Sequence, residues 1–128
     1  MVMEWNMLLA VFAGGGVGAA LRYVIAGAVQ QSTGDVFPFG TLAVNLAGSL
    51  LLGLIVQIAE VKAGPGPWMR VFLTVGLCGG FTTFSTFSLE TFRLLQDGSY
   101  LFAAGNIMGS LVLCLVGVWA GMVLGRLL

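Results

Sequence analysis

From Gly76 to Ser88 the chain reads Gly-Leu-Cys-Gly-Gly-Phe-Thr-Thr-Phe-Ser-Thr-Phe-Ser, with five hydroxyls (Thr82, Thr83, Ser85, Thr86, Ser88) following a glycine pair. The flanking residues are apolar enough to lie in a membrane. Gly79 and Gly80 weaken a helix, and Thr82 and Thr83 can cap the one that restarts after them. Irregular backbone survives in hydrocarbon only where it is buried in protein or lines a cavity. Such breaks bind ions, because freed carbonyls face cations and helix N-termini face anions. A glycine- and serine-rich packing seam would have the same composition and bind nothing.

Two further polar tracks run through apolar sequence. Thr41, Asn45, Gly48 and Ser49 share one helical face, and Asn106, Ser110 and Cys114 recur at steps of four. No charge accompanies them at mid-membrane depth: Glu4 opens the chain, and Glu60 and Glu90 fall at span ends. A proton-coupled drug transporter needs a membrane carboxylate, and a cation channel favours acidic rings or a carbonyl filter. Amides, hydroxyls and the positive edges of phenyl rings instead solvate a small anion without a full charge that would trap it. Phe81, Phe84 and Phe87, three residues apart, can border such a path or simply pack. Each polar residue taken singly can equally be a hydrogen bond between helices. With no histidine in the chain, catalysis is not expected.

The elements that must position these residues are membrane spans. The chain is 59% hydrophobic and 8% charged, which excludes an ordinary soluble domain. Four segments reach the roughly 20 apolar residues needed to cross a bilayer: about 7–29, 39–59, 71–95 and 100–124. The expectation is an all-α integral membrane unit of four helices with a break in the third. The turn signals are Ser32-Thr33-Gly34-Asp35 with Pro38, Gly64-Pro65-Gly66-Pro67, and Gln96-Asp97-Gly98-Ser99. Trp5, Trp68 and Tyr100 suit headgroup depth. Gly14 and Gly18, and later Gly117, Gly121 and Gly125, form small faces for close helix approach, including approach by a second copy. Cys78 and Cys114 lie within spans and make no metal motif. Arg22 can snorkel to headgroups, draw anions or fix a neighbouring helix. Net charge is zero, so no nucleic-acid partner is expected. Lys62, Arg70 and Arg126 on one side oppose Arg93 and Arg22 on the other, a bias weak enough to permit insertion either way.

Gly79-Gly80-Phe81-Thr82-Thr83-Phe84-Ser85-Thr86-Phe87-Ser88, with Gly40-Thr41-Leu42-Ala43-Val44-Asn45 and Gly18-Ala19-Ala20-Leu21-Arg22-Tyr23 before it, resembles the Fluc (CrcB) family of bacterial fluoride channels. The resemblance covers the whole chain in span count and motif order. It implies an antiparallel, dual-topology homodimer in the bacterial plasma membrane. It implies two fluoride pores per dimer, each passive and lowering cytoplasmic fluoride. By position, Phe84, Phe87 and Asn45 match pore residues, and the hydroxyls near Ser110 match a polar track, with Thr83 and Ser88 grouped with them. Arg22 matches a basic residue near the aqueous entrance. Gly79 and Thr82 match positions whose backbone carbonyls hold a central, structural sodium ion. A small dual-topology multidrug or cation transporter and a non-conducting membrane subunit remain the competing readings.

Overall fold

A computed structural model describes residues 4–62 and 64–128. Helix α1 (Trp5–Thr33) ends where Gly34 takes the left-handed conformation at φ 58° and donates its N–H to the Gln30 carbonyl at 3.1 Å. That conformation is the one glycine adopts without strain. Helix α2 spans Phe39–Val61. The third span, Pro67–Gln96, is composite. It opens with α3 (Pro67–Val71), whose proline occupies a position where no N–H is needed. It widens into a π-helical stretch (Phe72–Cys78), tightens into α4 (Gly79–Phe81), breaks, and resumes as α5 (Phe84–Gln96). Helix α6 (Tyr100–Leu127) completes the bundle. Four helical segments are long and apolar enough to cross a membrane, and the chain is a multi-pass membrane protein.

The break falls two residues later than the glycine pair suggested. Gly79 and Gly80 are helical, and the extended residues are Thr82 (φ −91°, ψ 158°) and Thr83 (φ −152°, ψ 118°). Gly80, with Gly76 one turn earlier, is needed for proximity. A Cβ on Gly80 would lie 2.5 Å from the Gly15 carbonyl oxygen, and one on Gly76 would lie 2.9 Å from the Gly14 Cα. From the other side, a Cβ on Gly14 or Gly18 would run into the carbonyl oxygen of Phe72 or Leu77. Helix α1 and the first half of the third span thus touch backbone to backbone.

The second glycine face is used in the same way. Gly117, Gly121 and Gly125 of α6 pack on Leu46, Leu50, Leu54 and Gln57 of α2, while Gly53 of α2 meets the Val118 carbonyl. Both small faces are therefore consumed within one chain, and neither is left for the subunit interface expected of them. Close van der Waals contact is what associates helices where solvent offers no hydrophobic drive. Large apolar side chains such as Phe12, Leu101 and Trp119 face outward, as a lipid-facing surface requires.

Gly80→Ala should lower the thermal unfolding midpoint of the purified protein, because overpacking against immovable backbone costs about 1–3 kcal/mol. Gly16→Ala, where a Cβ meets nothing within 4 Å, should leave that midpoint unchanged or raise it.

Candidate ion-conduction site

The site is organised by the backbone accounting at the break. The Thr82 N–H and hydroxyl both donate to the Cys78 carbonyl at 3.0 Å, closing the end of α4. Thr83, not Thr82, caps α5: its hydroxyl oxygen accepts from the Thr86 N–H at 3.1 Å. The Thr83 N–H and C=O are satisfied from α2. Its N–H donates to Asn45 Oδ1 at 2.7 Å, and Asn45 Nδ2 donates to its carbonyl at 3.0 Å. One amide thus replaces, for one residue, the two partners that a helix would have supplied. Arg22 contributes from α1, donating from Nε to the Gly80 carbonyl at 3.0 Å. It holds the neighbouring helix rather than snorkelling. Among the described residues, no donor reaches the carbonyls of Gly79, Phe81 or Thr82.

Gly48 brings α2 close enough for this. A Cβ there would strike the Thr82 side-chain methyl. The spacing Thr41–Asn45–Gly48 is therefore that of one functional face: each residue meets a part of the third span.

Two concavities flank the break. A groove of about 620 Å³ is bordered by Asn45, Gly79, Thr82, Phe84, Phe87 and Ser110, among other, mainly apolar residues. A smaller cleft of about 300 Å³ is bordered by Arg22, Gln30, Thr41, Thr86 and Glu90. Thr83 borders both, so the clasped residue is the wall between them. The Phe84 and Phe87 rings lie 5.4 Å apart at 41°, and Phe84 is 79% exposed on the single chain. Of the residues singled out in the sequence, Asn45, Gly79, Thr82, Thr83, Phe84, Phe87 and Ser110 come together at the groove, and Arg22 stands at the cleft. Ser88 borders neither; its hydroxyl is turned back to the Phe84 carbonyl at 2.9 Å.

Two contributors were not evident from the sequence. Glu90, read there as a span-end residue, is half-buried at the cleft. Its Oε1 accepts from the Thr41 hydroxyl at 2.8 Å, and its Oε2 is buried with no partner among the described residues. The i, i+4 spacing from Thr86 is the signal that places Glu90 on the cleft face. Gln30 joins α1 to α2: its Nε2 donates to the carbonyls of Asp35 and Phe37, and its Oε1 accepts from the Gly40 N–H at 3.0 Å. It thereby caps α2 and sets the position of Thr41 and Asn45.

These features define a membrane-embedded polar site, a groove lined by uncharged groups beside a cleft that holds Arg22 and Glu90. The profile of the family described as CrcB-like protein, Camphor Resistance (CrcB), matches residues 9–122. The fluoride-specific ion channel FluC of Geobacter sulfurreducens is 49% identical over 119 residues, 93% of this chain and 96% of that protein. Proteins of the same name from Geotalea uraniireducens and Rhodospirillum rubrum are 44% identical over 126 residues and 46% identical over 116. These cover 98% and 88% of this chain and 100% and 89% of the relatives, respectively. The chain belongs to the CrcB family.

Asn45→Asp removes the amide donor and sets a carboxylate oxygen against the Thr83 carbonyl. Each buried group left unpaired costs about 1–3 kcal/mol. Hydrogen–deuterium exchange at residues 82–86 should become faster in this variant and stay slow in Ser88→Ala; equal protection would show that the amide does not hold the break.

Proposed function

We propose that the chain is the subunit of a fluoride-selective passive channel, formed by two copies in opposite orientations and carrying two pores. The observation that carries the reading is a break lined by neutral donors, in a chain 49% identical to a protein named as a fluoride-specific channel. Fluoride is small and strongly hydrated, so a path that strips its water must supply replacement donors. The second Asn45 Nδ2 hydrogen and the ring edges of Phe84 and Phe87 are such donors, and none carries a formal charge. The hydroxyls of Thr83 and Ser110, whose protons go to Thr86 Oγ1 and Asn106 Oδ1, join them once those bonds rearrange. Arg22 raises the local anion concentration at the cleft while its guanidinium holds the break.

The physiological role follows from acid–base chemistry. Neutral hydrogen fluoride crosses a bilayer and dissociates in a less acidic cytoplasm, trapping the ion. An inside-negative potential then drives the anion out through a passive pore, by about 2.3 kcal/mol per charge per 100 mV. No coupling to ATP or protons is needed. The half-buried carboxylate of Glu90 favours a proton-coupled transporter. Fluoride efflux with no pH gradient across the membrane separates the two readings in favour of the channel.

A second copy, inverted, would close the groove that the single chain leaves open beside Phe84. The balanced Lys/Arg distribution permits both insertions. The residues also fit a sodium ion. Gly79 and Thr82 border the groove, and among the described residues no donor reaches their carbonyls, which are neutral hard oxygens. Among the described residues, no group of three or more His, Cys, Asp or Glu could hold a metal, which suits one positive charge rather than two. When bound, sodium would supply a fixed charge at the junction of the subunits; Gly79 and Thr82 would hold it.

Liposomes containing only this protein should release fluoride rapidly and chloride at the rate of empty liposomes. Phe84→Ile and Phe87→Ile should cut fluoride release at least tenfold, since bulk is kept and the positive ring edge is lost. Equal release of the two halides would overturn the reading.

A single cysteine at Asp97, in a background lacking Cys78 and Cys114, should react with an impermeant thiol reagent from both faces of the membrane. Labelling from one face alone would contradict the inverted pair. Exhaustive replacement of sodium should weaken the dimer; an unchanged dimer and unchanged flux would remove the sodium assignment.

A further inference from the structure

Two asparagines hold helices together here, and they differ in one chemical respect. Asn45 is tied at one end to an N–H and at the other to a C=O. Those partners cannot exchange roles, so its orientation is fixed. Asn106 is 2% exposed and is tied at both ends to hydroxyls. Its Nδ2 donates to Thr91 Oγ1 at 2.9 Å, and its Oδ1 accepts from Ser110 Oγ at 3.3 Å. The Thr91 hydroxyl continues the series to the Phe87 carbonyl at 2.7 Å. A hydroxyl can donate or accept. Rotating the Asn106 amide by half a turn therefore preserves both of its bonds, with every donor and acceptor exchanged.

The exchange matters at Ser110, which borders the groove while Asn106 does not. In the observed arrangement the Ser110 proton is spent on Asn106, and the serine offers only lone pairs outward. In the reversed arrangement Asn106 Nδ2 donates to Ser110, whose proton is then free for the groove. The Thr91 hydroxyl turns to Asn106 Oδ1, and the Phe87 carbonyl keeps its helical N–H. Thr91, Asn106 and Ser110 each keep a hydrogen-bond partner in either arrangement.

We propose that Asn106 is the positioning residue that switches Ser110 from acceptor to proton donor when a small, strongly hydrogen-bonding anion enters the groove. The inference rests on the fluoride path proposed above. Asn106 touches no ion; it acts through Ser110.

The chain has three asparagines, Asn6, Asn45 and Asn106, so asparagine labelled with nitrogen-15 gives three assignable side-chain amides. In nanodiscs, sodium fluoride should shift the Asn45 and Asn106 signals, whereas sodium chloride should shift neither. In Ser110→Ala the Asn106 response should vanish while that of Asn45 persists, and Ser110→Thr, which keeps a hydroxyl, should restore it. Asn106 unmoved while Asn45 responds, or moving equally in Ser110→Ala, overturns the switch and leaves the fluoride path standing. Absence of fluoride release from liposomes of the same wild-type preparation overturns the path itself, and the switch with it.

Discussion

Everything at the centre of this protein depends on the two-point hydrogen bond between the Asn45 amide and the backbone of Thr83. A membrane helix cannot stop in mid-bilayer without stranding N–H and C=O groups, each worth several kcal/mol in hydrocarbon. Two extended residues create that problem here. Asn45 answers it for one of them, the Thr82 N–H and hydroxyl close the end of α4, and Thr83 caps α5. Among the described residues, the carbonyls of Gly79, Phe81 and Thr82 are left without a donor, and Gly79 and Thr82 border the groove on the far side of Thr83 from the cleft that holds Arg22 and Glu90.

That arrangement demands rigid neighbours, and glycine supplies them. Gly14, Gly18, Gly76 and Gly80 let α1 touch the backbone of the third span, and Gly48 admits the Thr82 side chain against α2. The first half of the span is thereby locked, while α5 beyond the break is held largely by side chains. Asn45 holds its start, Thr41 reaches Glu90, and Asn106 reaches Thr91. Hydrogen bonds between membrane helices are individually modest. Three such contacts, one at the start of this short helix and two at the adjacent residues Glu90 and Thr91, fix its height and rotation.

The four spans and the existence of a break were legible because they rest on composition and on local propensity, which a sequence carries openly. The position of the break was less so. Glycine's helix weakness pointed to Gly79 and Gly80, but close packing against Gly15 governs Gly80, and packing partners distant in sequence are not written locally. Glu90 was missed for a related reason. Its depth depends on how α5 leans against α2, and a carboxylate near a span end ordinarily reaches water. Asn45 was legible as a polar residue at membrane depth, but only the fold reveals that both ends of its amide are engaged. The small faces of α1 and α6 carry no mark of whether their partner is the same chain or another.

The central claim is that neutral donors around a clasped break conduct fluoride and little else. The most direct test is the reversal potential of currents in planar bilayers, with fluoride and chloride gradients set in opposite directions at equal sodium. The account predicts a reversal at the fluoride equilibrium potential, unmoved when the chloride gradient is inverted. A reversal that follows chloride or sodium would contradict it.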